Sequence, residues 1–162
     1  VSSSAWSSSF LRDLKRLPYF QYDKSNTSFT DACDACGRAN HQANYRIALS
    51  GDQYDSTAFW NNNFTTSKIP GPARYNDSVT NYHVGGTCFK NAHLLHRVQH
   101  FPLIIRQRCA KLADTVKETS VAKDTDLEIL DEICGKKEWC NAQYLYFREL
   151  VDSFRSYIQD NL

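Results

Sequence analysis

The sequence predicts an α+β fold in which helix dominates, and three patterns support this. Cys33 and Cys36 form a Cys-x2-Cys pair that Gly37 closes, a turn that presents two thiolates to one zinc ion. Two short alternating segments later in the chain are typical of a β-hairpin. Cys88 then lies at the start of a long helical stretch, after a tight turn at Gly85 and Gly86. We therefore expect a zinc-knuckle, treble-clef-like core with a short hairpin, a long kinked helix and a C-terminal helical pair.

The N-terminal segment, residues 1–27, is predicted to be a lead-in with one short helix. It begins with a serine-rich stretch, and apolar residues then recur at helical spacing until Pro18 ends the helix. These apolar residues are Phe10, Leu11, Leu14 and Leu17. Tyr19 to Thr30 is predicted to be a loop. We expect a single zinc-stapled domain over residues 28–162.

Two strands and an insertion are predicted next. Tyr45 to Ser50 alternates in polarity and ends at Gly51, which indicates a strand followed by a turn. Residues 52–78 are rich in Asn, Asp, Ser and Thr, which favours a long insertion. Val79 to Val84 offers the second strand.

Three helices complete the prediction. Thr87 is a plausible N-cap for a helix that runs to about residue 118, with a kink at Pro102. Asp124 or Thr125 can cap the next helix, whose apolar positions are Leu127, Leu130 and Ile133. The last helix carries a stripe at a 3.6-residue period, formed by Phe147, Leu150, Val151, Phe154 and Ile158.

The predicted metal ligands are three cysteines and one histidine. Cys33, Cys36 and Cys88 leave a tetrahedral structural zinc site one ligand short. We favour His41, because it follows Cys36 at an interval that zinc ligands use. His93 is second, about 7.5 Å along the helix from Cys88, and His96 is third, about 12 Å along. His100, about 18 Å along, is too far away to share the ion with Cys88.

The three helical histidines, His93, His96 and His100, share one face of the long helix. Such a stripe suits a second metal site or a proton relay, but a polar seam hydrogen-bonded to neighbouring groups is commoner. We favour the seam.

Six cysteines are compatible with two compartments. Three Asn-x-Ser/Thr sequons would fit a secreted protein held by disulfides. A chain of 162 residues can fold without disulfides, however, and Cys-x2-Cys is poorly shaped for a bond between its own members. We therefore favour reduced, intracellular cysteines.

The net charge and the motif content of the sequence limit the functional classes that fit this chain. The formal net charge of +1 gives no general attraction to nucleic acid, and no apolar run has the ~20 residues that a membrane span needs. No sequence pattern of a Ser hydrolase, P-loop enzyme, zinc protease or dinucleotide-binding enzyme is present, and no His-x-Glu or Cys-x-Glu lies beside a predicted ligand. A non-enzymatic role is expected.

Two cysteine-bearing blocks of the sequence resemble a known family. The first block is Cys33 to Arg38 with His41, followed by Leu49 to Gly51 and Tyr54. The second contains the residues Val84, Gly85, Cys88, His96, His100, Phe101 and Leu103. Together they resemble the "forty-two eleven" domain-of-unknown-function family of fungal nuclear proteins and an animal coiled-coil-domain protein, over roughly residues 28–158.

The resemblance implies a nuclear, chromatin-associated protein without enzymatic activity. The chain departs from the family pattern at Gly86 and Asn91, where basic residues are expected, so the resemblance does not extend to a basic contact through those positions.

The favoured function is a non-catalytic, zinc-stabilised module that binds a protein partner within a larger nuclear protein. The alternative is a nucleic-acid-binding module that uses a basic face of the long helix. That face comprises Lys90, His93, Arg97, Arg106, Arg108 and Lys111.

Overall fold

The computed structural model describes residues 5–57, 78–119 and 125–161, apart from the side chains of residues 40, 41, 160 and 161. The fold is α+β, with small antiparallel sheets and one long helix. The chain divides into two compact units, Val1–His100 and Phe101–Leu162, which are described separately.

The described part of the first unit contains one complete helix, five strands and the beginning of the long helix. In chain order these elements are α1 (Ser8–Arg16), β1 (Tyr19–Lys24), β2 (Thr30–Ala32), β3 (Ala39–Ala43), β4 (Tyr45–Ser50), β5 (Thr80–Val84) and α2 (Gly86–Thr119). Helix α2 continues into the second unit, and the backbone stays helical through Pro102. The predicted strands at β4 and β5 are confirmed.

Two antiparallel sheets organise this unit. The larger has the order β1-β4-β5, with Tyr19 opposite Ser50 and Tyr45 opposite Val84. The smaller pairs β2 with β3, and the Cys-x2-Cys turn connects these two strands. The predicted insertion falls mainly on residues 58–77, which lie outside the described residues.

The core of the first unit joins α1 to the larger sheet and α2. Phe10 and Leu14 of α1 are fully buried, and the Phe10 ring meets those of Trp6 and Tyr82 edge to face. Buried aliphatic residues of β4 and β5 and buried residues of α2 complete this core: Ile47, Leu49, Val84, Phe89 and Ala92. Residues of the segment 5–17 thus contribute to the core of the first unit.

The prediction of a loop from Tyr19 to Thr30 is wrong for its first half. Tyr19 to Lys24 forms β1, because it pairs along its full length with β4. Its aromatic residues suit a half-buried strand. The long helix also begins one residue before the predicted cap, so Thr87 lies inside its first turn.

The second unit continues α2 and adds α3 (Asp126–Gly135) and α4 (Lys137–Asn161). Thr125, one of the two predicted caps, is the N-cap of α3. It forms a capping box in which the Glu128 backbone N–H and the Thr125 backbone N–H each find a side-chain acceptor. Ile129 and Ile133 of α3 pack with Val116 of α2.

Some apolar positions predicted to be core are exposed in the second unit. Leu127 and Leu130 of α3 lie largely in solvent, whereas Ile129 is buried in their place. On α4 the predicted stripe contains one fully buried residue, Leu150, while Phe147 remains 43% exposed. Of the helices that the structure describes, none combines the length and apolar character of a membrane span.

Candidate metal centre

Three cysteine sulfurs converge in the first unit, as the sequence predicts. The Sγ atoms of Cys33, Cys36 and Cys88 all lie within 4.8 Å of one another. Cys33 is fully buried and the other two are half-buried, and all three are free thiols. Cys33 and Cys36 belong to the turn between β2 and β3, and Cys88 to the first turn of α2. Three thiols at this spacing can hold a metal ion.

The turn that presents Cys33 and Cys36 is held by its own backbone. Gly37 adopts a φ of 67°, in the left-handed region that favours glycine, and its N–H donates to the Cys33 carbonyl at 2.7 Å. The Cys33 N–H in turn donates to the Arg38 carbonyl at 3.3 Å. The tight turn thereby places both thiols on one side.

Two neighbouring segments fix this turn in the unit. The Asp34 N–H donates to the His83 carbonyl at 2.8 Å, and the Asp34 carboxylate accepts from the His83 N–H at 2.6 Å. On the other side, the Ser7 N–H donates to the Ala35 carbonyl at 2.7 Å. Strand β5 and the residues before α1 therefore position the cysteine pair.

The surroundings favour a thiolate at Cys33. Burial alone would raise the pKa of Cys33, but hydrogen bonds from the backbone of Gly85, Cys36 and Ala35 outweigh it and lower that pKa. Burial and the negative charge of Cys33 raise the pKa of Cys88 to about 12, against an opposing effect of Trp6. Thiolates this close repel one another, and a cation bound between them would remove that repulsion.

Trp6 supplies a polar group beside the sulfurs. Its indole nitrogen is buried and makes no full hydrogen bond with another described residue. The indole N–H is nevertheless close enough to Cys88 to favour the thiolate form of that side chain. A buried N–H donor close to a sulfur is the type of group that supports metal-bound thiolates. The residues present therefore fit a metal ion.

The fourth ligand is not identified by the described side chains. His41 lies in β3, but its side chain is among those outside the described set. Within the described part of the chain, no histidine or carboxylate completes a four-ligand group with the three cysteines. His93 packs instead against the rings of Phe20 and Phe89.

His96 and His100 have a different function in the fold, because both bind backbone carbonyls. The Nε2 atom of His96 lies 2.9 Å from the Leu17 carbonyl, and that of His100 lies 3.0 Å from the Leu14 carbonyl. The Tyr54 hydroxyl contacts Nδ1 of His100. Burial lowers the pKa of His96 well below its usual value and that of His100 to about 4, so both imidazoles are neutral. The favoured interpretation of a satisfied polar seam is confirmed for these two residues.

This seam closes the C-terminal end of α1. The last four carbonyls of a helix lack partners within it. Here the Arg16 carbonyl accepts the Tyr54 N–H at 3.2 Å, and the Lys15 carbonyl accepts the Ser56 hydroxyl at 3.1 Å. His96 and His100 bind the carbonyls of Leu17 and Leu14, which lie on either side of these two. This use of Tyr54 and Ser56 could not be predicted from the sequence, because nothing local marks a residue that caps a helix some forty positions away.

The residues of the predicted basic face fall in both compact units. Lys90, His93 and Arg97 belong to the first unit. In the second, the Arg108 guanidinium lies 4.4 Å from the centre of the Tyr146 ring and donates to the Gln143 side chain at 2.8 Å. Arg108 therefore contributes to packing within its own unit.

Comparison with known proteins identifies a family for the N-terminal part of the chain. Residues 1–59 match the model of a domain of unknown function, DUF4211, so the predicted resemblance is confirmed there. The match includes Cys33 and Cys36 and begins at residue 1, earlier than predicted, in keeping with the place of α1 in the core. The second predicted block, with Cys88, lies outside the matched residues. No curated protein and no solved structure matches the chain.

Proposed function

We propose that the family domain found at the start of this chain is part of a zinc-stapled, non-catalytic module that binds a protein partner within a larger nuclear, chromatin-associated protein. The observation that carries the proposal is the convergence of the Cys33, Cys36 and Cys88 sulfurs within 4.8 Å. Zinc is the ion we assign, because thiolates in a tetrahedral arrangement suit it and structural sites use four protein ligands.

The proposed arrangement resembles a treble clef. A knuckle turn supplies two cysteines, the β4–β5 hairpin follows, and the first turn of α2 supplies the third cysteine. We assign His41 as the fourth ligand, since it follows the knuckle on β3. A Cys₃His site with all four positions taken by protein would be structural. Its role would be to join the knuckle turn to α2 and so to hold the sheet and helix as one binding platform.

The nuclear and chromatin-associated part of the proposal is supported by the family resemblance. It concerns the cellular context of the module, and it is tested separately from the metal.

The metal is tested on the full chain purified under reducing conditions. We expect about one zinc per chain by elemental mass spectrometry, and partial unfolding by circular dichroism when a chelator removes it. Cys36→Ser should lower the zinc content, whereas Cys134→Ser, a matched change at an exposed cysteine of the second unit, should not. Metal-free protein that keeps its full stability would contradict the assignment.

The fourth ligand is tested by comparing two histidine variants. His41→Ala should weaken zinc binding in a competition titration with a chromophoric chelator. His96→Ala should lower stability through the lost bond to Leu17 while the zinc affinity of the folded protein stays close to that of the wild type. A larger loss of zinc affinity in His96→Ala would make His96 the ligand.

The interaction role is tested in cells. The tagged full chain should fractionate with chromatin, and Cys36→Ser should release it while Cys134→Ser should not. Retention of Cys36→Ser on chromatin would contradict a role for the staple. Direct, salt-dependent binding of the purified chain to DNA or RNA would favour the nucleic-acid alternative.

A further inference from the structure

We propose that the outer edge of β1 binds an extended, acidic segment of a partner protein as an additional β-strand. The inference rests on the proposed function as an interaction module, and it identifies the surface and the chemistry of the partner. Addition of a strand to a sheet edge is a common mode of peptide recognition.

The first support is the row of backbone groups along β1. In the order β1-β4-β5, β1 pairs with β4 on one side only. The Ser25 N–H donates to the Asn44 carbonyl at 2.9 Å and continues this ladder, which fixes its alternation. Gln21 and Asp23 therefore direct their backbone groups toward β4. The N–H and C=O groups of the intervening residues, Phe20, Tyr22 and Lys24, point to the outer edge.

These outward groups are available among the described residues. Across residues 5–57, 78–119 and 125–161, no backbone hydrogen bond from another segment reaches Phe20, Tyr22 or Lys24. Three successive outward positions can form several hydrogen bonds with one extended peptide. Backbone pairing of this kind requires a partner in an extended conformation.

The second support is an aromatic surface beside the edge. The Tyr22 ring lies 4.8 Å from that of Phe89 on α2, and the Phe20 ring lies 5.3 Å from that of His93. Tyr22 nevertheless remains 52% exposed, so its ring surface extends to the edge. An added strand would place alternate side chains next to this ring. Apolar side chains are expected at those positions.

The third support is positive charge on the same side. The Lys24 ammonium lies 5.7 Å from the centre of the Tyr45 ring. On α2, Lys90, His93 and Arg97 follow at spacings of three and four, so they share one side of the helix. Burial and, after it, the positive charge of Arg97 lower the pKa of His93, so Arg97 adds positive charge on this side. Asp23 faces the opposite side of the sheet, where it pairs with Arg46. Acidic side chains in the partner would complement this surface.

The free protein provides the first test, by amide hydrogen exchange measured residue by residue with NMR. The amides of Gln21 and Asp23 should exchange slowly, and those of Phe20, Tyr22 and Lys24 should exchange quickly. Protection of the three outward amides in the free protein would show that the chain covers its own edge, and would overturn the proposal.

The second test selects ligands from a random dodecapeptide library displayed on phage, with the full zinc-loaded chain as bait. The selected peptides should be acidic with interspersed apolar residues, and each should slow exchange at the three outward amides. Tyr22→Ala should weaken binding about tenfold or more, whereas Phe29→Ala, at an exposed aromatic residue of a different surface, should leave it unchanged.

A pair of variants at Lys24 isolates the backbone contribution. Lys24→Ala and Lys24→Pro both remove the charge, but only proline removes the outward N–H. Lys24→Pro should therefore bind selected peptides about five- to tenfold more weakly than Lys24→Ala, at equal zinc content and a similar melting temperature. Equal binding by the two variants would exclude strand addition.

The remaining outcomes are equally decisive. Basic peptides, or peptides that protect residues elsewhere, would overturn the proposal. A single-stranded oligonucleotide that displaces the peptides and perturbs Tyr22 would assign the surface to nucleic acid instead. Zinc content is measured on the same samples, so failure of the edge and failure of the zinc-stapled module are distinguished.

Discussion

Nε2 of His100 donates a hydrogen bond to the carbonyl oxygen of Leu14 at 3.0 Å, across 86 residues of sequence. The other ring nitrogen accepts from the Tyr54 hydroxyl, and this arrangement assigns the proton of the neutral ring to Nε2. One buried imidazole therefore joins the end of α1, the segment after β4, and α2. Residues that match the family model therefore bind a side chain of α2, a helix that lies outside the match.

Replacement of His100 should lower the free energy of unfolding, and His100→Phe tests this most directly. Phenylalanine fills similar space but leaves the Leu14 carbonyl and the Tyr54 hydroxyl unpaired in the interior. We expect a loss of about 2–4 kcal/mol in the free energy of unfolding, measured by urea denaturation. His93→Phe is the matched control, since His93 stacks on Phe89 and is only half-buried. Equal effects of the two changes would contradict the capping role.

The same histidine should make the protein sensitive to acid. The folded state lowers the pKa of His100 to about 4, so the unfolded chain, with a pKa near 6.5, binds the proton first. Stability is therefore full above about pH 6.5 and is lost as the pH falls toward 4, by about 3 kcal/mol for this group. His96 acts in the same direction.

Urea midpoints at pH 7.5, 5.5 and 4.5 test this dependence. His100→Phe should show a shallower decline than the wild type. Protonation of the cysteines would affect both proteins alike, so the difference between them reports His100. Parallel curves would show that the histidine does not contribute.

Much of the fold could be predicted from local sequence patterns. Pro18 ends the helix that the apolar spacing predicted, and the alternation at β4 gave its bounds. Thr125, one of the two predicted caps, begins α3, and Glu128 completes a capping box with it. The grouping of Cys33, Cys36 and Cys88 could be predicted from residue type and spacing, because a Cys-x2-Cys turn and a helix start are both local signals.

Features that depend on distant partners were not predictable. β1 contains aromatic residues in a polar context, and its strand conformation depends on pairing with β4 more than twenty residues later. The partners of His96 and His100 are backbone carbonyls at the C-terminal end of α1, which any sequence would offer. Likewise, Ile129 and Leu130 are equally apolar, and only the packing against α2 determines which one is buried.

Two glycines with positive φ should respond differently to alanine. A Cβ on Gly51 would lie 2.6 Å from Cδ2 of Tyr19 and 3.0 Å from Cγ of Pro18, in addition to the strain of a φ of 99°. Gly37 has open space around its Cα and carries only the conformational cost. We expect Gly51→Ala to cost about 3 kcal/mol and Gly37→Ala about 1–2 kcal/mol in zinc-saturated protein. Thermal melts give the order, and a larger cost at Gly37 would contradict it.

The indole of Trp6 should tune the proposed metal site. Trp6→Phe keeps a ring against Phe10 but removes the buried N–H beside Cys88. We expect the zinc affinity to fall about tenfold in a chelator competition, because groups that support metal ligands typically contribute this much. Trp139→Phe, in the second unit, is the control and should leave the affinity unchanged. An unchanged affinity in Trp6→Phe would show that the N–H does not act on the sulfur.

The last helix offers three large side chains of graded exposure. Leu150 is 3% exposed, Phe154 is half-buried and Tyr144 is 60% exposed. Leu150→Ala should therefore cost about 2–5 kcal/mol through lost transfer energy and the cavity that remains. Phe154→Ala should cost less, about 1–2 kcal/mol, although full burial would have raised the figure to 3–5 kcal/mol. Tyr144→Ala should change stability by less than about 0.5 kcal/mol. Thermal melts of the three variants test the ranking, and a cost at Phe154 that exceeds the cost at Leu150 would place the packed face of α4 elsewhere.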